Sequence, residues 1–415
     1  MNKIKYDKYG ETVYQRKLDN GLEIFIIEDT NFDCIYTYLT VKFGASHLYF
    51  DDFDVIPGSA HFLEHMVFKL ENGDRIEEFS KKGAKINAMT SYSDTTYYFE
   101  CHEKFEENFI NFIDMLDSLF ITEELVEREK NIIIEEIDMY KSDINMEIGE
   151  EFIRNIYSSN PILHDIGGTE INVRSITLPH LVELYEKFYG NSNRILVICG
   201  KVDIKYLSDF FDNYERTNSK KQVILTRKQI EEKKECVNEY KIAHFDIPIP
   251  MHYIGIKLDP KTYSLKKEFT YQFMFGMLIG SSSKLKDKLR HAGLLSSQFY
   301  FEVNFEYQAF YLEIFNSTKK IDEYEKKILN IINDTHESFF DMNTFTRLKK
   351  AFLGEFIFGL NQIRTKIECF VAYKIDGYDL FEIVELINEI TLDECVEAFN
   401  TLKESSKTIL KVLPK

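Results

Sequence analysis

The order of predicted elements limits the fold of this chain most strongly, because the same order occurs twice. Apolar β-branched and aromatic runs predict strands at 23–28, 36–43, 86–91, 95–101, 194–199, 236–244, 252–258, 298–303, 308–315 and 407–413. Helical periodicity predicts helices at 60–70, 74–82, 104–120, 122–142, 177–189, 264–279, 321–339, 343–359 and 391–403. Each half therefore runs through strands, a helix, strands, long helices and a final strand. We expect α+β architecture with two topologically similar domains, each a mostly antiparallel sheet packed with helices.

A polar segment over residues 213–235 lies between the two halves. The chain has 415 residues, which is long for one core, since domains usually hold about 100–200 residues. We predict a first domain over 1–212, a linker over 213–235 and a second domain over 236–415. Sequence identity between the halves is weak, so the alternative is two unrelated α+β domains whose element order agrees by chance.

The charge balance is acidic, with 51 Lys and Arg against 69 Asp and Glu and a net charge of −18. Such a surface repels a phosphate backbone, so we expect no nucleic-acid partner. It would suit cationic partners such as basic peptides. The alternative is that the charge only aids solubility.

Cysteine usage and hydropathy bear on the compartment. The six cysteines have no CxxC spacing and stand mostly among apolar residues, which favours reduced thiols in a cytoplasmic protein. The first residues contain no apolar run, so we expect no signal peptide. No run approaches the roughly 18 apolar residues of a membrane span.

Residues 61–65 read His-Phe-Leu-Glu-His and carry the clearest chemical signal. On a helix, His61 and His65 lie one turn apart on the same side, so both imidazoles can bind one metal ion. Glu64 lies on that side too, where a carboxylate can take a proton from a water molecule. This order reverses the HExxH motif. The alternative is a pair of surface histidines on an amphipathic helix.

A hydrolytic zinc site needs a third protein ligand. The predicted helix over 122–142 offers six glutamates: Glu123, Glu124, Glu127, Glu129, Glu135 and Glu136. Local arguments leave this choice open. Glu127 lies one turn before Asn131 and away from the run Ile132–Ile134, which suits a ligand at the edge of the helix.

Three segments resemble one known family. Residues 60–69 resemble the inverted zinc motif of the pitrilysin/insulinase metallopeptidases, the inverzincins. Residues 127–137 resemble the second block of that family, and residues 83–97 resemble its Asn-Ala-x-Thr block. The resemblance covers the first half of the chain, whereas the second half matches mainly at 280–290. The length is similar to that of the short bacterial two-domain subfamily.

The resemblance implies a zinc-dependent endopeptidase. One Zn²⁺ per chain would be held by His61, His65 and Glu127, and Glu64 would be the general base. The family carries a supporting Glu seven residues before the third ligand, and Phe120 stands at that place here. The resemblance therefore also implies altered support around the metal.

The resemblance further implies how substrate binds. A peptide would add as an extra strand beside Asn87, Ala88 and Met89, although an ordinary edge strand is the alternative. Arg290 matches a family Arg that contacts substrate from the opposite half of an enclosed chamber. Ser297 stands where the family has the accompanying Tyr.

A partner chain is implied as well. Two such domains form one half of a clam-shell, so a homodimer or a heterodimer with a related subunit would complete the chamber. Ser297 favours a heterodimer. The rival to the peptidase is a non-catalytic assembly or chaperone-like subunit, which usually lacks at least one of the metal-binding or catalytic residues.

Overall fold

Two mixed β-sheets organise the computed structural model, which describes residues 1–71, 73–217 and 225–415. Within the described part, the chain divides into two units. The first comprises Met1–Asp138, His164–Lys228 and Phe358–Ile383, and the second comprises Met139–Leu163, Gln229–Ile357 and Val384–Lys415. These units interleave along the sequence, which differs from the consecutive domains 1–212 and 236–415. The predicted linker 213–235 includes residues 218–224, which lie outside the described residues.

The first part of the chain contributes nine strands and eight α-helices to the described structure. The strands are β1 (Asn2–Tyr6), β2 (Glu11–Lys17), β3 (Glu23–Glu28), β4 (Ile35–Val41), β5 (Lys69–Leu70), β6 (Gly73–Asp74), β7 (Ala84–Thr90), β8 (Thr95–Cys101) and β9 (Arg194–Gly200). The helices are α1 (Ser59–Val67), α2 (Arg75–Lys81), α3 (Phe105–Asp117), α4 (Glu123–Lys141), α5 (Ile144–Ile156), α6 (Glu170–Ser175), α7 (Leu178–Phe188) and α8 (Ile204–Thr217).

The second part repeats this order. Its strands are β10 (Tyr240–Phe245), β11 (Met251–Lys257), β12 (Tyr300–Glu306), β13 (Ala309–Ser317) and β14 (Lys407–Pro414). Its helices are α9 (Leu265–Ile279), α10 (Lys284–His291), α11 (Ile321–Asp334), α12 (Met342–Gly359), α13 (Ile363–Ile375), α14 (Ile383–Glu389) and α15 (Leu392–Glu404). All ten predicted strands occur. Five of them form the common core of the first sheet, and the other five form the second sheet.

The two sheets have the same core topology in the described residues. The sheet of the first unit has the order β1-β2-β3-β9-β4-β8-β7, and that of the second has the order β10-β14-β11-β13-β12. In each, one parallel pair (β3 with β9, β10 with β14) is followed by antiparallel pairs only. Strands β1 and β2 extend the first sheet. The α+β prediction of two similar domains is therefore confirmed.

One helix of each half belongs to the unit built mainly from the other half. Helix α5 packs on β11 and β14 in the second unit, where Phe152 lies 5.2 Å from Tyr253 between ring centroids. Helix α13 packs on β4 and β9 in the first unit, where Phe370 lies 5.4 Å from Phe25. Since α5 and α13 hold the same place in their halves, the exchange is reciprocal.

Apolar side chains from α1, α3, α4 and α7 fill the core on the opposite face of the first sheet. This packing fixes α1 against β7 and β8 and leaves its polar side turned away from the core. Among the described residues, no helix is both long enough and apolar enough to cross a membrane.

Candidate metal centre

Helix α1 sorts its residues into two faces. Its buried residues are Ser59, Ala60, Phe62, Leu63, Met66 and Val67. The helix begins after Gly58, whose φ of 91° favours glycine. A Cβ atom on Gly58 would lie 2.4 Å from the carbonyl oxygen of Gly167, so the close approach of this loop also requires glycine. The buried face thus holds α1 in one orientation and presents His61, Glu64 and His65 on the other side.

Three side chains meet at this polar face. The rings of His61 and His65 lie 4.6 Å apart. The carboxylate of Glu136 on α4 lies 3.8 Å from His61 Nε2 and 3.5 Å from His65 Nε2. One ligand atom from each of the three residues lies within 4.8 Å of the other two. Two imidazole nitrogens and one carboxylate are the donor set of hydrolytic zinc sites, so these residues fit a zinc ion.

The electrostatics of the histidines also suit a metal. Burial and, to a smaller extent, the nearby His65 together lower the pKa of His61 to about 4. His61 is therefore neutral near pH 7, which leaves a ring nitrogen lone pair available. His61 Nδ1 is buried and has no hydrogen-bond partner among the described residues. The second ring nitrogen of His61 thus lacks the support that His65 has.

That support for His65 comes from Glu129, which is 2% exposed. Its Oε1 lies 2.9 Å from His65 Nδ1, and its Oε2 lies 3.0 Å from Lys69 Nζ. Burial raises the pKa of Glu129, but hydrogen bonds from His65 and Lys69 outweigh this and lower it overall. An ionised carboxylate on Nδ1 fixes the ring so that Nε2 faces the cluster.

The structure does not bring Glu127 to this cluster. The Glu127 side chain is 67% exposed and pairs with Lys130 at 2.7 Å. Nine residues separate it from Glu136, about two and a half helical turns, so the two carboxylates point to opposite sides of α4. The carboxylate that meets the histidines is Glu136, and this corrects the assignment of Glu127.

The correction also changes the supporting position. Seven residues before Glu136 stands Glu129, not Phe120, and seven residues return to the same side of a helix. Phe120 is seven residues before Glu127, so it does not hold the supporting position for Glu136. The supporting carboxylate is present.

A signal in the sequence points to Glu129, and through it to Glu136 seven residues later. The buried stripe of α4 comprises Val126, Glu129, Lys130, Ile133, Ile134 and Ile137. A glutamate within such a stripe needs a partner, because burying an unpaired carboxylate is costly. The run of three isoleucines obscured the helical phase, since Ile132 is in fact exposed.

Glu64 lies beside the cluster and has a defined partner. Its Oε2 accepts a hydrogen bond of 2.5 Å from Thr90 Oγ1 on β7. The pKa of Glu64 is raised overall, mainly because the carboxylate is buried and to a smaller extent because of Glu136. The hydrogen bond from Thr90 and the nearby His65 lower it in part. The arrangement places a proton acceptor next to two imidazoles.

Strand β7 forms one edge of the first sheet, and it contains the predicted substrate-binding residues. The side chains of Asn87 and Met89 are exposed, and Ala88 is half-buried. The backbone N–H of Ala88 donates to Asn87 Oδ1 at 2.9 Å, and Asn87 Nδ2 donates to Tyr98 Oη at 3.3 Å. The Ala88 amide at this edge is thus satisfied by a side chain.

Arg290 lies in the second unit, near the end of α10. Its guanidinium is exposed and pairs with Asp287 at 3.2 Å. Ser297 follows in the loop before β12.

Comparison with known families accounts for most of the chain. Residues 27–170 match the model described as "Insulinase (Peptidase family M16)", and residues 175–352 match the one described as "Peptidase M16 inactive domain". A Bacillus subtilis protein named "Uncharacterized zinc protease YmfH" is 29% identical over 99% of both chains. The Neurospora crassa mitochondrial-processing peptidase subunit beta is 25% identical, over 59% of this chain and 52% of that protein.

Solved structures with the same fold were also found. An M16-like chain from Alicyclobacillus acidocaldarius superposes with a TM-score of 0.90 at 23% identity, covering 98% of this chain and 99% of that one. The periplasmic protease PqqL from Escherichia coli superposes with a TM-score of 0.81 at 17% identity, covering 99% of this chain and 48% of PqqL. At these identities the likeness concerns the fold.

Proposed function

We propose that this chain, which belongs to the M16 peptidase family, is a zinc-dependent endopeptidase that cleaves or trims peptides. Its sequence matches the two domain models of that family, one after the other. The observation that carries the proposal is the convergence of His61, His65 and Glu136 beside Glu64. We assign these three residues as ligands of one Zn²⁺ per chain and Glu64 as the general base.

Each residue has a defined task in this proposal. When bound, zinc supplies a Lewis acid that polarises the scissile carbonyl and lowers the pKa of water. Glu64 accepts a proton from the attacking water and returns it to the leaving amine. Glu129 holds His65 in the tautomer that carries its proton on Nδ1.

We propose that the substrate adds as a strand to the free edge of β7, beside Asn87, Ala88 and Met89. Backbone pairing gives affinity with little dependence on side chains, which suits broad peptide recognition. Such pairing requires Asn87 Oδ1 to release the N–H of Ala88. The net charge of −18 would favour basic peptides.

We further propose that a second chain, identical or related, completes an enclosed chamber, and that Arg290 contacts substrate across it. This chain covers 48% of PqqL, and a further relative is named as a subunit. All six cysteines are free thiols, which supports our proposal that the protein is cytoplasmic.

The test compares zinc content and peptide cleavage in the wild type, in Glu64→Gln and in the control Glu71→Gln, whose carboxylate is exposed. Each is assayed alone and with related subunits of the same organism. We expect Glu64→Gln to keep zinc and to lose about 10²–10⁴-fold in kcat, and Glu71→Gln to behave as the wild type. Wild type that holds zinc yet cleaves no peptide with any partner would favour the non-catalytic subunit instead.

A further inference from the structure

A general base acts only if its carboxylate is held at the reacting water. Helix α1 fixes the backbone of Glu64, but a glutamate side chain keeps several rotatable bonds, and freezing them costs up to about 2 kcal/mol. A loosely held carboxylate would therefore spend much of its time in unproductive positions. The residue that anchors it comes from a different element, strand β7.

Thr90 Oγ1 donates a hydrogen bond to Glu64 Oε2 at 2.5 Å. The other hydroxyl near Thr90 is that of Thr95, at 3.4 Å. Thr95 donates its own proton to the carbonyl oxygen of Phe43 at 2.8 Å. The Thr90 proton thus goes to Glu64, and the second carboxylate oxygen remains available for a water molecule.

Thr90 is itself held rigidly. It forms the last pair of the β7–β8 ladder, opposite Thr95. The following turn is closed by the Ser91 N–H bond to the carbonyl of Asp94 at 2.8 Å and by the Ser91 hydroxyl bond to the Asp94 carboxylate at 2.9 Å. Gly44 packs so closely on this turn that a Cβ atom there would lie 2.4 Å from the Asp94 nitrogen. A β-branched side chain on such a backbone has few rotamers.

Buried tyrosines close the core near Glu64 without taking over this role. The hydroxyls of Tyr97 and Tyr189 bond to each other at 2.8 Å. Burial raises the pKa of Tyr97 most, and the charges of Tyr189 and Glu64 raise it further. The two tyrosine hydroxyls near Glu64 are thus paired with each other, and the Glu64 carboxylate is oriented by Thr90.

We propose that Thr90 is a positioning residue for the general base. Its hydroxyl holds the Glu64 carboxylate in the one conformer that faces the same side of α1 as His61 and His65. This inference rests on the proposed role of Glu64. Strand β7 would then have two roles: its edge would bind the substrate, and its residue Thr90 would orient the general base.

The test compares Thr90→Val, which keeps the shape and removes the hydroxyl, with Thr90→Ser, which keeps the hydroxyl. The control is Thr37→Val, since Thr37 is a buried threonine of the same sheet whose hydroxyl has no partner within the described structure. Crystal structures report the Glu64 conformer, metal analysis reports zinc content, and peptide cleavage reports kcat and KM.

We expect Thr90→Val to keep zinc, to release Glu64 from its conformer and to lower kcat about 10- to 100-fold with KM within about 2-fold. Thr90→Ser should restore both the conformer and most of kcat, and Thr37→Val should change neither. The inference would be overturned if Glu64 kept its conformer in Thr90→Val. It would also be overturned if Thr90→Ser lowered kcat as much as Thr90→Val. If the wild type cleaves nothing, the proposed peptidase fails, and the Glu64 conformer in the crystal structures still decides the role of Thr90.

Discussion

Each of the two units contains a five-stranded sheet core of the same topology. The cluster of His61, His65 and Glu136, which could hold a metal ion, is found among the described residues of the first unit. The difference begins at equivalent helices, α1 after β4 and α9 after β11. Both helices bury two thirds of their residues. The remaining residues of α1 are His61, Glu64 and His65, whereas those of α9 are Lys266, Lys267, Glu268, Gln272 and Gly276 and include no histidine. The same backbone order therefore supports a site in one unit and packing in the other.

The next pair of equivalent helices differs in the same way. Helix α4 carries Glu129 and Glu136 seven residues apart, so both lie on the side that meets α1. Its counterpart α12 carries one carboxylate, Glu355, which is exposed. Chemistry in this fold thus requires coordinated changes on two helices.

The largest effect is expected at the third ligand. Glu136→Gln should lower zinc affinity by more than about 100-fold, because a ligand contributes more than the supporting residues, whose loss costs 10–100-fold. Glu127→Gln, on the opposite side of α4, should leave affinity unchanged. Competition with a chelator of known affinity measures both. An equal loss of zinc affinity in the two variants would mean that α4 rotates about its axis in solution. A loss confined to Glu127→Gln would restore Glu127 as the third ligand.

These two glutamates also illustrate what a sequence can reveal. His61, Glu64 and His65 were evident because five consecutive residues contain both the helical spacing and the chemistry. Glu136 was not, because the six glutamates on one helix differ only in helical phase, and the phase depends on which isoleucines are buried. Long-range packing of α4 against α1 settled that phase.

The second prediction concerns the exchanged helices. Lys366 on α13 is 3% exposed and lies 2.7 Å from Asp29 and 2.5 Å from Glu11. Lys366→Met would leave the buried Asp29 and the half-buried Glu11 without the cation that they share, so we expect a loss of about 3–5 kcal/mol in the free energy of unfolding. On α5, Glu151 pairs with Lys241, which is 41% exposed, so Glu151→Gln should cost about 0–1 kcal/mol.

Denaturant unfolding measures this pair of variants. Comparable losses would show that α5 is anchored as firmly as α13, and the contrast between the helices would then disappear. The exchange itself was not predictable from the sequence. Helix α13 has apolar residues on several sides, and nothing in its periodicity names the sheet on which it packs.

The third prediction is a pH effect in the second unit. Burial, together with the charge of the opposing Glu302, raises the pKa of Glu313 to about 7. The hydrogen bond that Tyr300 donates to Glu313 at 2.6 Å acts in the other direction and lowers it. The folded state therefore binds this proton more tightly than the unfolded chain does. Stability from this group is full below about pH 4.5 and is lost as the pH rises through about 7.

Glu313→Gln should remove that dependence. Relative to wild type, the variant should gain up to about 3 kcal/mol at pH 8 compared with pH 5. Midpoints of thermal unfolding at the two pH values measure the gain. A gap between variant and wild type that stays constant from pH 5 to pH 8 would contradict a raised pKa.

The smallest effect is expected at Glu129, where the comparison of the two units is sharpest. Glu129→Gln keeps the shape of the side chain but removes the charge that holds His65 Nδ1 and pairs with Lys69. We expect zinc affinity to fall about 10- to 100-fold, less than for Glu136→Gln, because the residue orients a ligand and does not bind the metal itself. Glu135→Gln, an exposed neighbour on the same helix, is the control. If Glu129→Gln matched the control, the difference between α4 and α12 would reduce to Glu136 alone, and a single glutamate would separate the metal-binding helix from its packing counterpart.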